Sequence, residues 1–283
     1  MGVARVSTYM SSPVHVVHPT DTLAYARNLL LEKGVSRLVV VDDDEKPVGV
    51  LTLSDIARVI MLGSERELDE ILVREVMSKP PVVIEESKTL KTAARLMLKH
   101  KIGGLPVVDE EGALVGIVTR TDLVRAFADR YEGRYTVRDL MRKSFPVLRR
   151  SHSIYYAAKL IEADISGKAV VLDEEGRPVG VVTRRDIAFL DLSLLSRRGK
   201  ESYRKVKARH PARGELSPAR LYLVPLVEDV MSSDVVTTKP SADAAEAARV
   251  MLEHGIGCLP VVDEAGRAIG LLTKIEILYA IAL

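Results

Sequence analysis

Aromatic residues, cysteine and long apolar runs are scarce in this sequence. Among 283 residues there are one cysteine, no tryptophan and only three phenylalanines. The single Cys258 excludes an internal disulfide framework, and the shortage of aromatic rings weakens any function that stacks nucleic-acid bases. Charged residues such as Lys274 and Glu276 interrupt the longest apolar stretch, so no run approaches the roughly 18 residues of a membrane span. No charged-then-apolar leader precedes Met10, and we therefore expect a cytoplasmic location without membrane attachment.

The sequence is instead rich in aliphatic residues. Hydrophobic residues make up 47% of the chain, which is ample for a core of Val, Leu, Ile, Ala and Met. The length allows one large domain or two of ordinary size. The net charge is only +2, but it is unevenly placed, because residues 191–226 hold nine Lys or Arg against three Asp or Glu.

Four stretches carry the same landmarks in the same register. In each of them a Met is followed 39 residues later by a Gly that opens Gly-x-x-Thr-x-x-acid. The landmarks are Met10 with Gly49, Thr52 and Asp55; Met77 with Gly116, Thr119 and Asp122; Met141 with Gly180, Thr183 and Asp186; and Met231 with Gly270, Thr273 and Glu276. Because no insertion separates the landmarks in any stretch, we predict one structural unit of roughly 60 residues repeated four times. We call these stretches copies one to four.

The periodicity changes in the same order within each copy. A short β-branched run, residues 14–17 in copy one, predicts a strand. A helical pattern follows, with apolar or small residues in copy one at Leu23, Ala26, Leu30 and Leu31. Two strands joined by an acidic turn predict a hairpin, and Thr-x-x-acid then opens a second helix. The unit is thus an α/β motif of order β-α-β-β-α, which needs a second unit to cover its sheet.

The residues resemble those of a known family. The Met, the Leu-Pro-Val-Val-Asp of residues 105–109 and 259–263, and the Gly-x-x-Thr-x-x-Asp ending are similar to the motifs of cystathionine β-synthase (CBS) domains. The resemblance covers all but about 35 residues. It implies that the four motifs pair into two pseudo-symmetric Bateman modules in a disc-like arrangement. Such an arrangement resembles that of the nucleotide-sensing γ subunit of AMP-activated protein kinase.

The spacing of the landmarks sets the expected domain boundaries. The Gly landmarks are 67, 64 and 90 residues apart, so the extra length lies between copies three and four. Module one is expected at residues 1–131, with motifs at about 1–68 and 69–131. Module two is expected at residues 132–283, with motifs at about 132–190 and 224–283. A basic insert, residues 191–223, separates the last two motifs.

The resemblance also implies a ligand. In the family, the cleft between paired motifs commonly binds an adenosine compound, such as AMP, ADP, ATP or S-adenosylmethionine. The Asp of the motif binds the ribose there, and the Thr lies near the phosphate or the ribose. In this sequence the implied residues are Thr52, Asp55, Thr119, Asp122, Thr183 and Asp186. The chemistry agrees, because a carboxylate can accept hydrogen bonds from both ribose hydroxyls and a helix N-terminus favours phosphate.

The same Thr and acid have a purely structural interpretation. Thr-x-x-Asp or Thr-x-x-Glu at the start of a helix is a capping box, which stabilises the helix by about 1 kcal/mol without any ligand. Copy four separates the two interpretations, because Thr273 is followed by Glu276 instead of Asp. Capping tolerates Glu, whereas a ribose site built for Asp must accommodate one more methylene. We therefore expect a weakened ligand site at copy four.

Cations that could bind a phosphate are placed unevenly. Twelve residues before the landmark Gly, the copies carry Arg37, Gly104, Lys168 and Cys258. Immediately after the Thr, they carry Leu53, Arg120, Arg184 and Lys274. In relatives of the γ-subunit type, basic residues near the first of these positions contact phosphate. Only copy three combines Asp186 with both cations, so we predict the best phosphate site there. The alternative is that these Arg and Lys side chains are simply solvated.

Metal binding and catalysis have little support. His15 and His18 are three residues apart, and His100 and His254 share one repeat position, but none has the ligand spacing of a zinc site. Cys258 lies within an apolar run and is expected to be a buried small hydrophobe. No Walker loop or nucleophile elbow is present. Because the repeats occupy nearly the whole chain, we expect a regulatory protein that is not an enzyme and requires no cofactor.

The basic insert is the main rival source of function. Residues 197–213 could neutralise several phosphates of a nucleic acid, although Tyr203 is the only ring there that could stack on a base. A charged segment of this kind is also typical of a solvated loop or a docking segment. Two hypotheses therefore stay open. One is an adenosine-binding regulatory protein that acts on a protein partner or as a homodimer; the other is a nucleic-acid-binding or scaffold protein with non-functional clefts.

Overall fold

Each copy folds into a short strand, a helix, a β-hairpin and a second helix in a computed structural model that describes residues 4–61, 66–188 and 225–283. The basic insert at 191–223, with its segment 197–213, lies outside the described residues. Copy one contains α1 (Val6–Tyr9), β1 (Val16–Val17), α2 (Leu23–Glu32), β2 (Arg37–Val41), β3 (Pro47–Thr52) and α3 (Leu53–Met61). Copy two contains α4 (Val73–Val76), β4 (Ile84–Glu85), α5 (Leu90–Lys99), β5 (Gly104–Val108), β6 (Leu114–Thr119) and α6 (Arg120–Arg130).

The second half of the chain repeats this order. Copy three contains α7 (Val137–Leu140), β7 (Val147–Leu148), α8 (Ile154–Ala163), β8 (Lys168–Leu172), β9 (Pro178–Thr183) and α9 (Arg184–Ala188). Copy four contains a 3-10 turn (Val227–Asp229), α10 (Ala244–Glu253), β10 (Cys258–Val262), β11 (Ala268–Thr273) and α11 (Lys274–Ala282). In the first three copies the short strand pairs in parallel with the first hairpin strand, as β1 does with β2. In copy four this pairing is reduced to a single bridge between Thr238 and Val261.

The helix before the hairpin in each copy (α2, α5, α8 and α10) begins at a polar residue that caps it. The side chain of Thr22 accepts a hydrogen bond from the backbone of Tyr25 at 3.2 Å, and Thr89 does the same for Thr92 at the start of α5. These caps satisfy donors that have no partner inside the helix. Leu23, Ala26 and Leu30 are buried as the helical pattern predicts, but Leu31 is 42% exposed. The predicted apolar face of α2 was therefore one residue too wide.

A reciprocal fit between Met and Gly explains the fixed register of the landmarks. A β-carbon built on Gly49 would lie 2.5 Å from Sδ of Met77, and one built on Gly116 would lie 2.6 Å from Sδ of Met10. Only glycine leaves room for the sulfur of the partner copy. The same exchange joins copies three and four, with Met231 at Gly180 and Met141 at Gly270. Copy one therefore contacts copy two in this way, and copy three contacts copy four.

Helices join the two halves of the molecule. Helices α5 and α6 of copy two pack against α10 and α11 of copy four, and α3 of copy one packs against α9 of copy three. The largest apolar cluster spans copies two and four and includes Phe127, Met97 and Met251, all at most 1% exposed. Copies one and three have smaller cores of their own. Within the described ranges, no helix is both long and apolar enough to cross a membrane.

Candidate functional site

One cavity collects residues from all four copies. Its volume is about 1480 Å³, and we call it the central cavity. All eleven predicted site residues line it: Arg37, Thr52, Asp55, Thr119, Arg120, Asp122, Lys168, Thr183, Arg184, Asp186 and Thr273. Nine Lys or Arg residues line the cavity against five Asp or Glu, so positive charge is in excess. The structure thus brings together residues that are spread over 237 positions of the sequence, from 37 to 273.

In each copy, one residue of the strand that ends at the landmark Thr forms a β-bridge with the residue that follows the landmark Met of the partner copy. The bridges are Val50 with Ser78, Ser11 with Ile117, Val181 with Ser232, and Arg142 with Leu271. Each acid therefore lies in a cleft between its own copy and the start of the partner copy. We name the four clefts after their acids: the Asp55, Asp122, Asp186 and Glu276 clefts.

The four acids cap their helices in the same way. In the Asp122 cleft, Oδ2 of Asp122 accepts hydrogen bonds from the backbone N–H of Thr119 at 2.8 Å and from its hydroxyl at 2.7 Å. Asp55, Asp186 and Glu276 accept the same pair of bonds from Thr52, Thr183 and Thr273. The structural interpretation is therefore satisfied in every copy, and capping by itself does not distinguish the copies.

Capping uses only one oxygen of each Asp. In the Asp122 cleft, Oδ1 accepts from Nη1 of Arg125 at 3.0 Å, and in the Asp55 cleft Oδ1 lies 3.7 Å from Nη1 of Arg58. Both Arg partners are exposed by more than half, so these contacts are easily exchanged. Asp55 and Asp122 are themselves 7% and 3% exposed. A carboxylate that already caps a helix can thus still offer an oxygen to a ligand.

Two of the cations cross from one copy to its partner. A β-carbon on Gly104 would lie 2.5 Å from Nη1 of Arg37, so the guanidinium of copy one fills the space where copy two lacks a side chain. In the other half of the molecule, a β-carbon on Gly257 of copy four would lie 2.8 Å from Cε and 3.0 Å from Nζ of Lys168. The absence of a cation at position 104 is therefore complementary to its presence at position 37, and Lys168 likewise reaches the partner copy. The cations are shared between paired copies, which counting them copy by copy did not reveal.

The cations depress one another's protonation. Burial, together with the charge of Arg120, lowers the pKa of Arg37 to about 10. Burial and Arg184 lower the pKa of Arg120 to about 10 as well, and burial and Lys168 lower the pKa of Lys274 to about 8. Coulomb interactions thus link cations of all four copies around the cavity, and the pKa values of Arg37, Arg120 and Lys274 stay lowered although Asp122 and Glu276 act to raise them. Such a cluster attracts an anion with more than one negative charge.

Comparison with known proteins identifies the repeated unit. The model of the CBS domain matches residues 6–62, 73–129, 137–192 and 227–283. The chain belongs to the CBS domain family. The predicted fold class is confirmed: four β-α-β-β-α CBS motifs, packed as in the paired modules of that family.

Two solved structures match nearly the whole chain. The uncharacterised protein MJ1225 of Methanocaldococcus jannaschii is 27% identical over 291 aligned positions, covering 98% of the chain and 99% of that protein. Its crystal structure, described as that of a proposed archaeal homologue of g-AMPK, superposes with a TM-score of 0.80 at 25% identity. A conserved protein of Pyrococcus horikoshii has the same fold, with a TM-score of 0.67, 22% identity and 98% of the chain covered.

Other CBS relatives share only part of the chain. The L-aspartate semialdehyde sulfurtransferase of Methanocaldococcus jannaschii is 36% identical over 120 residues, which are 42% of this chain but only 23% of that enzyme. The likeness thus concerns the CBS region and leaves most of the enzyme unmatched.

The Glu276 cleft differs from the other three CBS clefts. Where they have Ser11, Ser78 or Ser232 after the landmark Met, copy three has Arg142. Its guanidinium forms two hydrogen bonds with Asp164, at 2.6 and 3.1 Å, and one with Ser166 at 2.9 Å. Its Nε lies 3.7 Å from Oε1 of Glu276. Sequence reasoning missed Arg142, although aligning the residue after each Met would have found it.

Cys258 and the histidines form no additional site in the described part of the chain. Cys258 is 5% exposed, as the apolar run predicts, and burial raises the pKa of its thiol. Across residues 4–61, 66–188 and 225–283, no three His, Cys, Asp or Glu side chains are grouped closely enough to hold a metal ion.

Proposed function

We propose that this CBS protein is a regulator that binds an adenosine compound in its clefts and acts by binding alone, without catalysis. AMP, ADP, ATP and S-adenosylmethionine are the candidate ligands. The observation that carries the proposal is the convergence of three Asp carboxylates and five cations on one cavity. The cations are Arg37, Arg120, Lys168, Arg184 and Lys274.

The ribose role falls to the three Asp residues. Each of them is held by two bonds from its own Thr, so the orientation of the carboxylate is fixed before a ligand arrives. A carboxylate accepts hydrogen bonds from two adjacent hydroxyls, which is the pattern that a ribose presents. The oxygen that is not needed for capping is the one that a ribose would engage.

The phosphate role falls to these five cations. Arg120 is an informative case, because its Nε is buried and, among the described residues, has no hydrogen-bond partner, while its Nη2 donates to the carbonyl of Ile102 at 3.1 Å. A buried N–H donor without an acceptor is costly. A phosphate oxygen would satisfy it and would also relieve the repulsion between Arg120 and Arg184.

A regulatory output follows from the position of the clefts. A ligand in a cleft contacts both copies of a pair, so it favours the arrangement of the copies that it fits best. A protein partner, or a second copy of this chain, would respond to that shift. In this proposal the protein works in the cytoplasm.

The proposal is tested by a calorimetric and thermal-shift panel of AMP, ADP, ATP, S-adenosylmethionine and NAD at one fixed concentration. A ligand that binds only the folded state raises the melting temperature. We expect at least one adenosine phosphate to do so, with a lower affinity at high salt because the cation cluster is screened. Inorganic phosphate and adenosine serve as controls for the two halves of the ligand. If none of the five compounds bound, the proposed function would be wrong.

A further inference from the structure

We propose that the Glu276 cleft takes no ligand because Arg142 occupies it as a built-in substitute. The inference rests on the proposed function, since it concerns which of the clefts bind. It assigns the closure to a guanidinium of the neighbouring copy, and not only to the extra methylene of Glu276. The chain would then bind at most three adenosine ligands, in the Asp55, Asp122 and Asp186 clefts.

The residues that line the central cavity differ between the Glu276 cleft and the other three clefts. Ser11, Ser78 and Ser232, the residues that follow the Met in the other three clefts, all line the cavity, whereas Arg142 does not. Asp55, Asp122 and Asp186 line it as well, whereas Glu276 does not. In the fourth cleft both the acid and the segment opposite it are withdrawn from the cavity. Thr273 and Lys274 still line the cavity, as does Ser166, the hydroxyl partner of Arg142.

Arg142 binds Asp164 and Ser166 and lies beside Glu276, and we call these four residues the Arg142 network. Arg142, Asp164 and Glu276 have side chains that are 20%, 15% and 9% exposed. The Arg125–Asp122 pair in a predicted binding cleft has an Arg that is 51% exposed. A ligand hydroxyl can displace such an exposed Arg, but it would have to remove Arg142 from a carboxylate that it binds with two hydrogen bonds.

The residues of this network differ from their counterparts in the other copies. At the position of Asp164 the other copies have Lys33, His100 and His254, and at the position of Ser166 they have Val35, Ile102 and Ile256. Copy three thus replaces three residues at once, and all three meet in space. The fourth departure is Glu276 itself, whose extra methylene lets Oε2 cap the helix while Oε1 lies next to Arg142.

The charged groups of the network are paired, while Nε of Arg142, buried and 3.7 Å from Oε1 of Glu276, has no hydrogen-bond partner among the described residues. Burial acts to raise the pKa of Asp164, but hydrogen bonds from Arg142 and Ser166 lower it overall. Burial raises the pKa of Glu276, and Thr273 and Arg142 oppose that change. One guanidinium therefore holds two carboxylates from two copies. In module two this clamp exists without a ligand, so only the Asp186 cleft would respond to ligand there.

Opening the cleft tests the inference. The double variant R142S/E276D installs the residues of the other three clefts, and we expect it to bind one more AMP per chain than the natural protein in calorimetric titration at saturation. The matched control E276D keeps Arg142 and is expected to gain no site. An unchanged number of bound AMP in a folded double variant would overturn the inference, as would a gain in E276D alone.

A second experiment, which introduces an Arg into the Asp122 cleft, tests the inference even if the double variant does not fold. The triple variant S11R/K33D/V35S places an Arg and its two partners opposite Asp122, and we expect it to lose one bound AMP while the rest of the binding is kept. Retention of every site in this triple variant would overturn a guanidinium as the closing group. If the natural chain bound none of the five compounds, the proposed function would fail, but a single AMP site gained by R142S/E276D would still support this inference, and no gain would overturn it.

Discussion

Arg37 of copy one lies across Gly104 of copy two, with Nη1 only 2.5 Å from the place where a β-carbon of residue 104 would stand. Sequence position 104 is the one at which copy two lacks the cation that copies one and three carry. The missing side chain is thus what admits the partner's guanidinium to the central cavity. In the other half of the molecule, Lys168 lies against Gly257 of copy four, with Nζ 3.0 Å from the place where a β-carbon of residue 257 would stand.

Gly104→Ala should weaken ligand binding more than it weakens folding. The added methyl group would displace the flexible end of Arg37, which is a small cost to folding, below about 1 kcal/mol, but it moves a cation that we assign to phosphate. Gly116→Ala is the control, because its methyl group would meet Sδ of Met10 and the backbone oxygen of Ser11 at 3.3 Å. We expect that variant to lose thermal stability instead. Equal losses of AMP affinity in both variants, measured by calorimetry, would contradict the role of Arg37.

Asp186→Asn should reduce the affinity for an adenosine ligand by roughly ten- to a hundred-fold, since hydrogen bonds to a charged group contribute about 1.5–3 kcal/mol. The chain contains a matched control in Asp139, which accepts from the backbone and hydroxyl of Thr136 at 2.8 and 2.7 Å but does not line the central cavity. Asp139→Asn removes the same kind of helix cap. If both variants changed the calorimetric affinity equally, the acid of the repeat would be a cap and nothing more.

Lys274→Met should raise the melting temperature of the ligand-free protein by a few degrees at pH 7. Burial and Lys168 lower the pKa of Lys274 from 10.5 to about 8, so the folded state holds this charge at a cost. Because the pKa in the folded state is the lower one, the charge reduces the free energy of unfolding by its maximum amount below about pH 8. This destabilisation decreases as the pH rises towards 10.5. The gain from the Met substitution should therefore shrink between pH 7 and pH 10 in melting experiments. A gain that stayed constant with pH would show that the charge is not its cause.

Nucleotide affinity should fall as the pH rises from 7 to 9. A bound phosphate favours the charged form of Lys274 and raises its pKa, so binding takes up a proton wherever the free side chain is partly neutral. The loss should reach up to about ten-fold at pH 9, where a group with a pKa near 8 is about nine-tenths deprotonated. Lys274→Arg is the control, because an Arg keeps its charge throughout this range. An identical pH profile in the natural protein and in this variant would exclude Lys274 as the titrating group.

Much of the fold was predictable because its signals are local. The fourfold register of Met, Gly, Thr and acid predicted the repeated unit, and the strands and helices follow the periodicity of side chains only a few residues apart. The predicted burial was wrong where packing between elements decides it. Leu31 lies in the helical pattern of apolar residues but is exposed. The fourth copy also keeps only one bridge of its expected first strand.

The sequence predicts eleven candidate site residues that the structure brings to one cavity, but it does not predict the contacts between the copies that bring them there. All eleven proposed residues line one cavity, because the landmark Thr and acid end the same strand in each copy and the copies meet along those strands. Counting cations copy by copy made copy three the favoured phosphate site. The structure instead places Lys168 of that copy against Gly257 of copy four, so the two copies share it.

The sequence by itself determined that one β-α-β-β-α unit is written four times and that copy four departs from the rest at Glu276, since both facts depend on spacing and residue type along the chain. Only the tertiary structure decided that Arg37 reaches into copy two and that Arg142 binds Asp164 and lies beside Glu276. The reason is physical. These contacts join side chains of different copies, and they depend on how two folded units pack against each other. The local periodicity of the sequence does not predict that packing.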